Sequence, residues 1–375
     1  MTRTIVDVHI LQTVPPSNLN RDDTGSPKTA TYGGVRRARV SSQAWKRATR
    51  KDFESYLDTQ DLGVRTKRVV ELLAEEVSRQ AADLDGQAAE IAAKVMTAAG
   101  IKLSKPRKGE TDESGYLVFL SRLQISALAR EGIRAARDGG LDTLEKKTVQ
   151  PLVKNQNSID LSLFGRMVAE VTDLNVDAST QVAHALSIHA VDNEYDYFTA
   201  VDDHKEADVE EDAGAGMIGT VEFNSSTLYR YATVDVDRLA DNLGDPKASR
   251  RAVEAFVRSF VTSMPSGKQN TFANRTLPDA VLVTVREDQP VSFVGAFEEP
   301  VQSSSAGGRV RLGVARLAAY AKDLEAAYGI APVSAWLVGV GDNAQPLDAV
   351  GERVSFDSLV TRVGEVVDER LAGGQ

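Results

Sequence analysis

The sequence predicts a mixed α+β fold in which a split βαβ sheet receives a helical insertion. Three observations predict it: a β-branched segment opens the chain, a block of helical periodicity follows, and strand and helix patterns then alternate to the end. The 375 residues are 42% hydrophobic and 26% charged, which is typical of a folded protein and excludes a disordered one.

The chain opens with a predicted strand, a long loop and a helix. Residues 4–13 are rich in β-branched side chains, which predicts a strand near the sheet centre with one more polar face. Residues 17–40 are predicted to form a long loop, either functional or disordered, because they are rich in Asn, Asp, Gly and Pro and have no periodicity of their own. A helix is expected from the capping pair Ser41 and Ser42 to about Leu57.

A mostly helical block follows, and residues 57–155 are the expected inserted subdomain. Residues 158–171 alternate apolar and polar side chains, which predicts a pair of strands. Residues 202–212 form an acidic tip with seven acids, and residues 221–234 indicate a strong strand. The other predicted strands are 280–285 and 333–340, and the other predicted helices are 66–83, 87–99, 122–137, 141–154, 237–243, 246–263, 313–328 and 356–371.

Basic residues are concentrated near the N-terminus. The whole chain has 44 basic and 54 acidic residues and a net charge of −10, which taken alone argues against a nucleic-acid partner. Residues 25–51 contain no acid, so they carry +8 and the remainder −18. Local potential decides what a surface attracts within the Debye length of roughly 8–10 Å. The eight cations are Lys28, Arg36, Arg37, Arg39, Lys46, Arg47, Arg50 and Lys51.

On the predicted helix these cations form a broad stripe. Lys46 and Arg50 are i,i+4 neighbours, and so are Arg47 and Lys51. No acid occurs on the helix before Asp52. A solvated helix face usually mixes both signs. Phosphate binding explains the missing acids, because a helix N-terminus, hydroxyl groups and arginines all favour anions. The sequence therefore favours a polyanion site here.

Several kinds of active site are excluded or disfavoured. The chain has no cysteine, which excludes disulfides, thiolate catalysis and Cys-ligated metal centres. His184 and His189 are five residues apart, a spacing that suits neither a helical nor a strand zinc pair. Residues 214–219 match G-x-G-x-x-G, but an acidic run precedes them where a dinucleotide site needs a strand. No metal or cofactor is expected.

The sequence also lacks the marks of a membrane or secreted protein. No run approaches the roughly 18 apolar residues of a membrane span. Asp7 and His9 interrupt the apolar N-terminal stretch, which makes it a poor signal peptide. The sequence predicts a cytoplasmic protein with no membrane partner.

Asp22 and Asp23 are the remaining catalytic candidates. Two adjacent carboxylates in a basic loop can bind magnesium or act as a general base on an RNA 2′-hydroxyl. Alternatively, they pair with Arg21 and neighbouring cations and order the loop. The ordering role is the preferred interpretation.

Single-stranded RNA is the favoured polyanion, since splayed bases need aromatic or apolar surfaces as well as charge. Met167 is one candidate for such a surface, and Tyr197 with Phe198 is another. Each of them, taken alone, is more typical of a protein core. Lys268, in a loop of donors without acids, is a weaker candidate.

Seven segments of the chain resemble the CasC family, the repeated backbone subunit of the type I-E CRISPR Cascade complex. The N-terminal segments are the most specific, and the helical block and the C-terminal third match only loosely. The matching segments are LNRDD (19–23), YGGVRRARVSSQ (32–43), KR (46–47), GRM (165–167), DYFTAVDD (196–203), FNSS (223–226) and YRYA (229–232).

The resemblance implies a right-hand architecture with an RRM-like (ferredoxin-like) palm, a helical fingers insertion and an extended thumb hairpin. The palm would comprise residues 1–56, 156–192 and 223–375, the fingers 57–155 and the thumb 193–222. In the family, copies line up along one CRISPR RNA, and each thumb turns one base outward. The implied partners are CRISPR RNA, further copies of the chain, other Cascade subunits and, through guide pairing, target DNA.

The resemblance also implies site residues. Those that match phosphate-holding positions are Arg21, Ser41, Gln43, Lys46 and Arg50. Those that match the wedge at the turned-out base are Met167, Tyr197, Phe198, Thr199 and Val201. Arg36, Arg37, Arg39 and Lys268 complete the predicted RNA-binding set.

The expected function is that of a non-catalytic guide-RNA scaffold in antiviral defence. Backbone contacts carry no sequence information, so one protein can hold any guide, and base pairing supplies the specificity. The alternative is an RNA-cleaving backbone subunit, as in the related type III complexes, with Asp22 or Asp23 as the catalytic residue. A metabolic enzyme is a third possibility, for which the sequence offers no catalytic groups.

Overall fold

The structure is a computed structural model, and it describes residues 3–106, 109, 111–168, 171–200, 217–303 and 307–373. Its strands are β1 (Ile5–Ser17), β2 (Thr29–Tyr32), β3 (Val35–Val40), β4 (Gly63–Thr66), β5 (Leu103–Ser104), β6 (Glu113–Ser114), β7 (Val118–Ser121), β8 (Thr180–Val182), β9 (Ala185–Ser187), β10 (Glu194–Ala200), β11 (Met217–Asp235), β12 (Ala280–Arg286), β13 (Ser334–Gly339) and β14 (Glu352–Arg353). Its helices are α1 (Ser42–Asp52), α2 (Val69–Gln80), α3 (Ala88–Ala98), α4 (Arg122–Asp138), α5 (Lys146–Lys154), α6 (Ile159–Phe164), α7 (Val236–Leu243), α8 (Pro246–Thr262), α9 (Gln269–Phe272), α10 (Arg309–Tyr328) and α11 (Phe356–Gly373). None of these described helices has the length and apolar character needed to cross a membrane.

Ten of the described strands form one sheet, with β1 in its interior. The strand order is β14-β13-β12-β1-β11-β9-β3-β2, and β8 and β10 also pair with β11. β1 runs antiparallel to both of its neighbours, β11 and β12. The mixed α+β fold and the interior position of the first strand are therefore confirmed.

β1 is buried on both faces, which explains its β-branched composition. Val6, Val8 and Ile10 belong to a core formed with helices α1, α7, α8 and α11. Leu11, on the opposite face, belongs to a second core formed with α10. Helices therefore cover the sheet on both sides, and the period-two alternation of β1 separates the two cores.

The more polar face of β1 is buried as well, and Asp7 and His9 on this face form hydrogen bonds with tyrosines of β11. The Tyr231 hydroxyl donates to Asp7 Oδ1 at 2.8 Å, and the Tyr229 hydroxyl lies 2.9 Å from His9 Nδ1. Burial raises the pKa of Asp7 to about 6, although Arg286 Nε lies 3.3 Å from its Oδ2. These contacts fix the strand register, because a slip would leave buried polar groups unpaired.

The helical block between residues 57 and 155 has a hydrophobic core of its own. Leu73 of α2, Ile91 of α3 and Leu128 of α4 are fully buried within it. α4 begins with a capping box, in which the Ser121 and Gln124 side chains each accept from the other residue's backbone N–H. The block thus has a core of its own, and its strands β4 and β7 pair antiparallel with each other.

The segment 17–40, predicted to be a loop, contains a β-hairpin. β2 and β3 pair antiparallel, with Tyr32 opposite Val35 at the turn. Gly33 and Gly34 form that turn with φ values of +57° and +74°, which glycine adopts readily. The loop prediction is therefore wrong over residues 29–40, where a Gly-Gly pair between β-branched segments is a hairpin signal.

The segment 158–171, predicted to be a pair of strands, contains helix α6. Ile159, Leu161 and Leu163 are buried, which accounts for the apparent alternation, but the two polar residues between them are buried too. A helix buried on all sides has no polar face to reveal its 3.6-residue period. The strand prediction is wrong for this reason.

β11 is long enough to belong to the sheet and to a hairpin at the same time. Its 19 residues form one strand. Residues 217–223 pair with β10, and residues 224–235 pair with β1. The predicted strand at 221–234 is confirmed, and the acidic tip at 202–212 lies outside the described residues.

Candidate nucleic-acid interface

Helix α1 presents its basic residues outward because its inner face is anchored in the core. Ser41 caps the helix, and its Oγ accepts from the Gln43 N–H at 3.3 Å. Trp45 is fully buried, whereas Arg47 is exposed and Lys46 is half-buried. The helix is therefore amphipathic, with cations on its outer side.

Trp45 lies against a buried guanidinium. Arg230 Cζ lies 3.7 Å from the centre of the Trp45 ring and 4.6 Å from that of Phe260. Arg230 Nη1 donates to Gln12 Oε1 at 2.6 Å, and Nη2 donates to the Phe260 carbonyl. Burial lowers the pKa of Arg230 to about 9, and no described carboxylate forms an ion pair with it. A cation–π contact thus fixes α1 to the sheet.

Most cations of the basic segment are available to a ligand. Arg50 has an acidic partner, since its Nη1 lies 3.7 Å from Asp160 Oδ2, and its Cζ lies 5.4 Å from the Phe119 ring centre. Burial lowers the pKa of Lys46. Within the described residues, the following cations form no ion pair: Arg21, Lys28, Arg36, Arg39, Lys46, Arg47 and Lys51. Such a concentration of unpaired cations attracts anions, as the sequence predicts for this surface.

A groove of about 920 Å³ lies between α1 and the helical block. It brings together four residues that the sequence predicts from distant segments: Gln43, Lys46, Arg50 and Met167. Sequence reasoning misses two others, Arg65 and Leu117, because no local pattern distinguishes one exposed arginine or leucine in a helical block. The groove is lined by Gln43, Lys46, Arg47 and Arg50 of α1, by Arg65, Leu117 and Phe119 of the helical block, and by residues 164–167 and 175–178.

Met167 is exposed because the backbone on both sides of it is fixed. Its side chain is 83% exposed, whereas Arg166 and Val168 are buried. The Arg166 N–H and carbonyl each hydrogen-bond the backbone of Val176 at 2.9 Å, and the Val168 N–H donates to Asn175 Oδ1 at 2.6 Å. An apolar side chain held out in this way is a candidate contact for a ligand.

The Arg166 guanidinium fixes this turn from inside. It donates to the carbonyl oxygens of Leu174 at 2.7 Å, Phe119 at 3.0 Å and Val153 at 3.0 Å. Those carbonyls belong to three segments, so one side chain joins the turn to β7 and α5. Burial lowers the pKa of Arg166 to about 10. Arg166 is thus a positioning residue for Met167.

Arg37, predicted to bind RNA, has a structural role instead. Its side chain is fully buried, and its Nε donates to the Tyr32 carbonyl at 3.1 Å. Its Nη1 donates to the Ser187 carbonyl at 3.1 Å, and its Nη2 donates to those of Phe297 and Glu298 at 2.9 and 3.0 Å. The prediction is wrong for Arg37, because its donors face the protein interior.

Arg36 and Arg39 lie on the same strand but differ in exposure. Arg36 is exposed, whereas Arg39 is partly buried and its Nε donates to the Thr29 carbonyl at 3.2 Å. His184 Nδ1 accepts from the Ser42 N–H at 3.3 Å and lies 3.4 Å from Arg39 Nη1. Burial and the Arg39 charge lower the pKa of His184, so a neutral imidazole sits beside the start of α1.

The loop that carries Arg21 borders a second groove of about 490 Å³. Asn20 Oδ1 accepts from the Ser41 N–H at 2.8 Å, so the loop is tied to the cap of α1. Gly267 contacts the loop so closely that a Cβ would lie 2.2 Å from one of its carbonyl oxygens. Lys268 follows Gly267 and thus lies beside the loop of Arg21; its role in RNA binding stays a prediction.

Asp22 orders the same loop, but it does so through Thr24 and Ser26 and not, as predicted, by pairing with Arg21 and neighbouring cations. Its Oδ1 accepts from the Thr24 N–H at 2.9 Å, the Thr24 hydroxyl at 2.7 Å and the Ser26 N–H at 3.0 Å. The Thr24 hydroxyl is the main reason that the pKa of Asp22 is lowered. Asp23 is exposed. Within the ranges that the structure covers, no cluster of acids and histidines could hold a metal ion.

Tyr197 and Phe198 point to opposite faces of the β10–β11 hairpin, because successive residues of a strand alternate. Phe198 lies over its cross-strand partner Gly219, where a Cβ would be 2.5 Å from the ring. Tyr197 is 61% exposed and shares its face with Tyr195, which is 68% exposed. The hairpin therefore offers an aromatic contact on each face.

The base of the hairpin is tied to the loop of Arg21. The Glu222 carboxylate accepts from the Ser26 hydroxyl at 2.9 Å and from Asn193 Nδ2 at 3.0 Å. Hairpin and loop are thus held in one arrangement. Of the remaining predicted hairpin residues, Val201 lies outside the described residues, and only the backbone of Thr199 is described.

Comparison with known proteins identifies the family. The family model of the CT1975-like proteins, which are Cas proteins, matches residues 6–362. The chain belongs to this family. A chain of a solved "CRISPR RNA-guided surveillance complex, pre-nicking" is 37% identical, with 97% of this chain and 100% of that chain covered and a TM-score of 0.84. A chain of a solved "CRISPR RNA-guided surveillance complex" is 32% identical, with coverages of 96% and 99% and a TM-score of 0.73.

Membership of the CT1975-like family confirms the predicted relationship to CRISPR backbone proteins. It gives the chain a role in a CRISPR-associated complex. No curated protein sequence matches the chain. The type I-E subtype, the RRM-like description of the sheet and the division of this CT1975-like chain into palm, fingers and thumb stay predictions.

Proposed function

We propose that this CT1975-like chain is the guide-RNA-binding backbone subunit of a type I-E Cascade surveillance complex. Copies of the chain polymerise along one CRISPR RNA and present its bases for pairing with target DNA in antiviral defence. The sheet serves as an RRM-like palm, residues 57–155 as fingers and residues 193–222 as the thumb. The other partners are further Cascade subunits. The two solved chains, both from CRISPR RNA-guided surveillance complexes, support this assignment.

The observation that carries the proposal is the composition of the 920 Å³ groove. Lys46 and Arg47, which form no described ion pair, line it together with the exposed Met167. A single RNA strand needs both kinds of contact, because its phosphates attract cations and its unstacked bases seek apolar surface. Cations that hold phosphates are indifferent to base sequence, as a subunit that serves every guide requires.

The double variant Lys46→Ala/Arg47→Ala should weaken binding of every RNA sequence alike. Removing two charge-assisted contacts is expected to lower the affinity about 100-fold. The slope of log affinity against log salt should become shallower by about 1.4, since each phosphate neutralised on a single strand contributes about 0.7. Fluorescence anisotropy with two labelled RNAs of unrelated sequence measures both quantities.

Lys51→Ala is the matched control, because Lys51 is an exposed cation of the same helix that does not line the groove. Its removal should change the affinity much less. Unchanged binding in the double variant would contradict the proposal, as would a loss confined to one of the two sequences.

We also propose that the chain does not cleave RNA, because the Asp22 carboxylate is engaged by Thr24 and Ser26 within its own loop. Protein assembled on a guide and incubated with complementary RNA and magnesium should leave that RNA intact on a denaturing gel. Asp22→Ala and Asp23→Ala should behave identically. Cuts at regular intervals that disappear in either variant would establish the type III-like alternative.

A further inference from the structure

We propose that the helical block supplies a second wall of the RNA site, in which Arg65 binds a phosphate and Leu117 contacts a base. The ligand is one nucleotide of a single-stranded RNA, held between α1 and the block. This inference rests on the proposed function and extends it to residues far from the basic N-terminal segment.

The strand pairing of the block places this wall. Arg65 on β4 is directly opposite Phe119 on β7, and directly opposed residues of paired strands share a face. Leu117 lies two residues before Phe119, so it belongs to the same face. The Arg50 guanidinium of α1 lies over the Phe119 ring at 5.4 Å, which brings this face against the basic helix. Arg65, Leu117 and Phe119 therefore line the groove together.

The charge of Arg65 is not used elsewhere in the described structure. Its side chain is exposed, and no described acid forms an ion pair with it. Among the described residues that line the groove, Asp177 is the one acid, and it is exposed. Asp160, which Arg50 contacts from the lining, is buried and is also engaged by the Gly63 N–H. Cations therefore outnumber the acids on both walls, which favours a bound phosphate.

The apolar part of the groove is also incompletely covered. Leu117 is 49% exposed and Met167 is 83% exposed, and both line the same groove. Phe119 also lines the groove and is 5% exposed. A nucleobase has a flat apolar face and is linked to a phosphate, so one nucleotide satisfies both parts of the site. An inorganic anion would use only the charged part.

Two variants and two probes separate the charged and apolar contacts. The first probe is a fluorescein-labelled single-stranded RNA of mixed sequence, and the second is a ribose-phosphate strand of the same length without bases. Arg65→Ala should weaken binding of both probes about tenfold and reduce the salt slope by about 0.7. Leu117→Ala should weaken only the RNA with bases, about fivefold, and leave the salt slope unchanged.

Arg130→Ala is the matched control, since Arg130 is an exposed arginine of the same block that does not line the groove. Circular dichroism verifies that each variant is folded. Unchanged binding in Arg65→Ala, together with a loss in Lys46→Ala/Arg47→Ala, would overturn this inference and leave the proposed function standing. Unchanged binding in both Arg65→Ala and Lys46→Ala/Arg47→Ala would overturn this inference and the proposed function together. A loss in Arg65→Ala for single-stranded DNA but not for RNA would also overturn the inference.

Discussion

Trp45→Ala is expected to lower the free energy of unfolding by about 3 to 5 kcal/mol, the usual range for removing a large buried aromatic side chain. The substitution opens a cavity between α1 and the sheet and removes the ring that lies 3.7 Å from Arg230 Cζ. The Arg230 guanidinium, which has no described carboxylate partner, then loses part of its compensation for burial. RNA affinity should fall too, because α1 carries the cations of the groove. Denaturant unfolding followed by circular dichroism measures the stability.

Two variants test this explanation. Trp45→Phe keeps an aromatic face for Arg230 and should recover much of the lost stability. Trp336→Ala removes the other tryptophan of the chain, which is buried on β13. Four strands separate β13 from β3, which leads into α1, so this variant should destabilise the fold without lowering RNA affinity under folding conditions. If Trp45→Ala unfolds at the same denaturant concentration as the parent protein, the proposed anchor of α1 is wrong.

Arg166→Ala is expected to lower the free energy of unfolding on the order of 3 to 5 kcal/mol, since three carbonyls lose a hydrogen bond from one buried guanidinium. Those carbonyls are on Leu174, Phe119 and Val153, and the Val153 carbonyl keeps a second donor in Gln124 Nε2 at 2.8 Å. The turn that holds Met167 should loosen, so RNA binding should weaken as well. Unfolding curves and anisotropy on the same preparations measure the two effects.

Arg166→Lys and Met167→Ala distinguish three contributions: the positive charge of residue 166, its hydrogen bonds to three carbonyls, and the contact of Met167 with RNA. Lysine keeps the positive charge but lacks the planar fork, so it cannot reach three carbonyls and should restore little stability. Met167→Ala removes an exposed side chain, so it should change the unfolding free energy by less than about 0.5 kcal/mol while weakening RNA binding. A lysine variant as stable as the parent would show that the three-carbonyl clamp does not hold the turn.

The elements best predicted from sequence are those whose pattern is local. The alternation of β1 and the cap and cation spacing of α1 can be read within a dozen residues, and the structure bears out both. α6 could not be recognised, because burial on all sides removes the contrast that marks a helix. The hairpin of β2 and β3 carried a local signal in Gly33 and Gly34, which shows that a loop-like composition can hide a tight turn.

The sequence composition predicts where cations are concentrated, but not which of them are exposed at the site. Arg36 and Arg37 are adjacent in one basic run, yet one is exposed and the other is buried by carbonyls from residues 187, 297 and 298. No local pattern contains partners so distant in the chain. Arg65 is the opposite case, a residue outside the basic run that reaches the groove. Its position depends on the pairing of β4 with β7, which are separated in the sequence by α2 and α3. A local excess of basic residues thus indicates a basic surface, whereas tertiary contacts determine which residues are exposed on it.

The backbone conformation of the Gly165-Arg166-Met167 segment explains why its first residue is glycine. Gly165 has a φ of +75°, and a Cβ there would lie 2.8 Å from the Val176 carbonyl oxygen. The family resemblance marks these three residues together without saying why. The structure assigns glycine to the turn, arginine to its support and methionine to the exposed position.

The uninterrupted course of β11 has a mechanical consequence. Its outer residues pair with β10 and its inner residues pair with β1, so the hairpin is a continuation of a strand that is buried in the interior of the sheet. Tilting the hairpin would distort the hydrogen bonds between β11 and β1, and these bonds resist because they are shielded from water. Under the proposed function, in which copies line up along one RNA, each hairpin would therefore meet the strand at the same angle, whatever the base sequence.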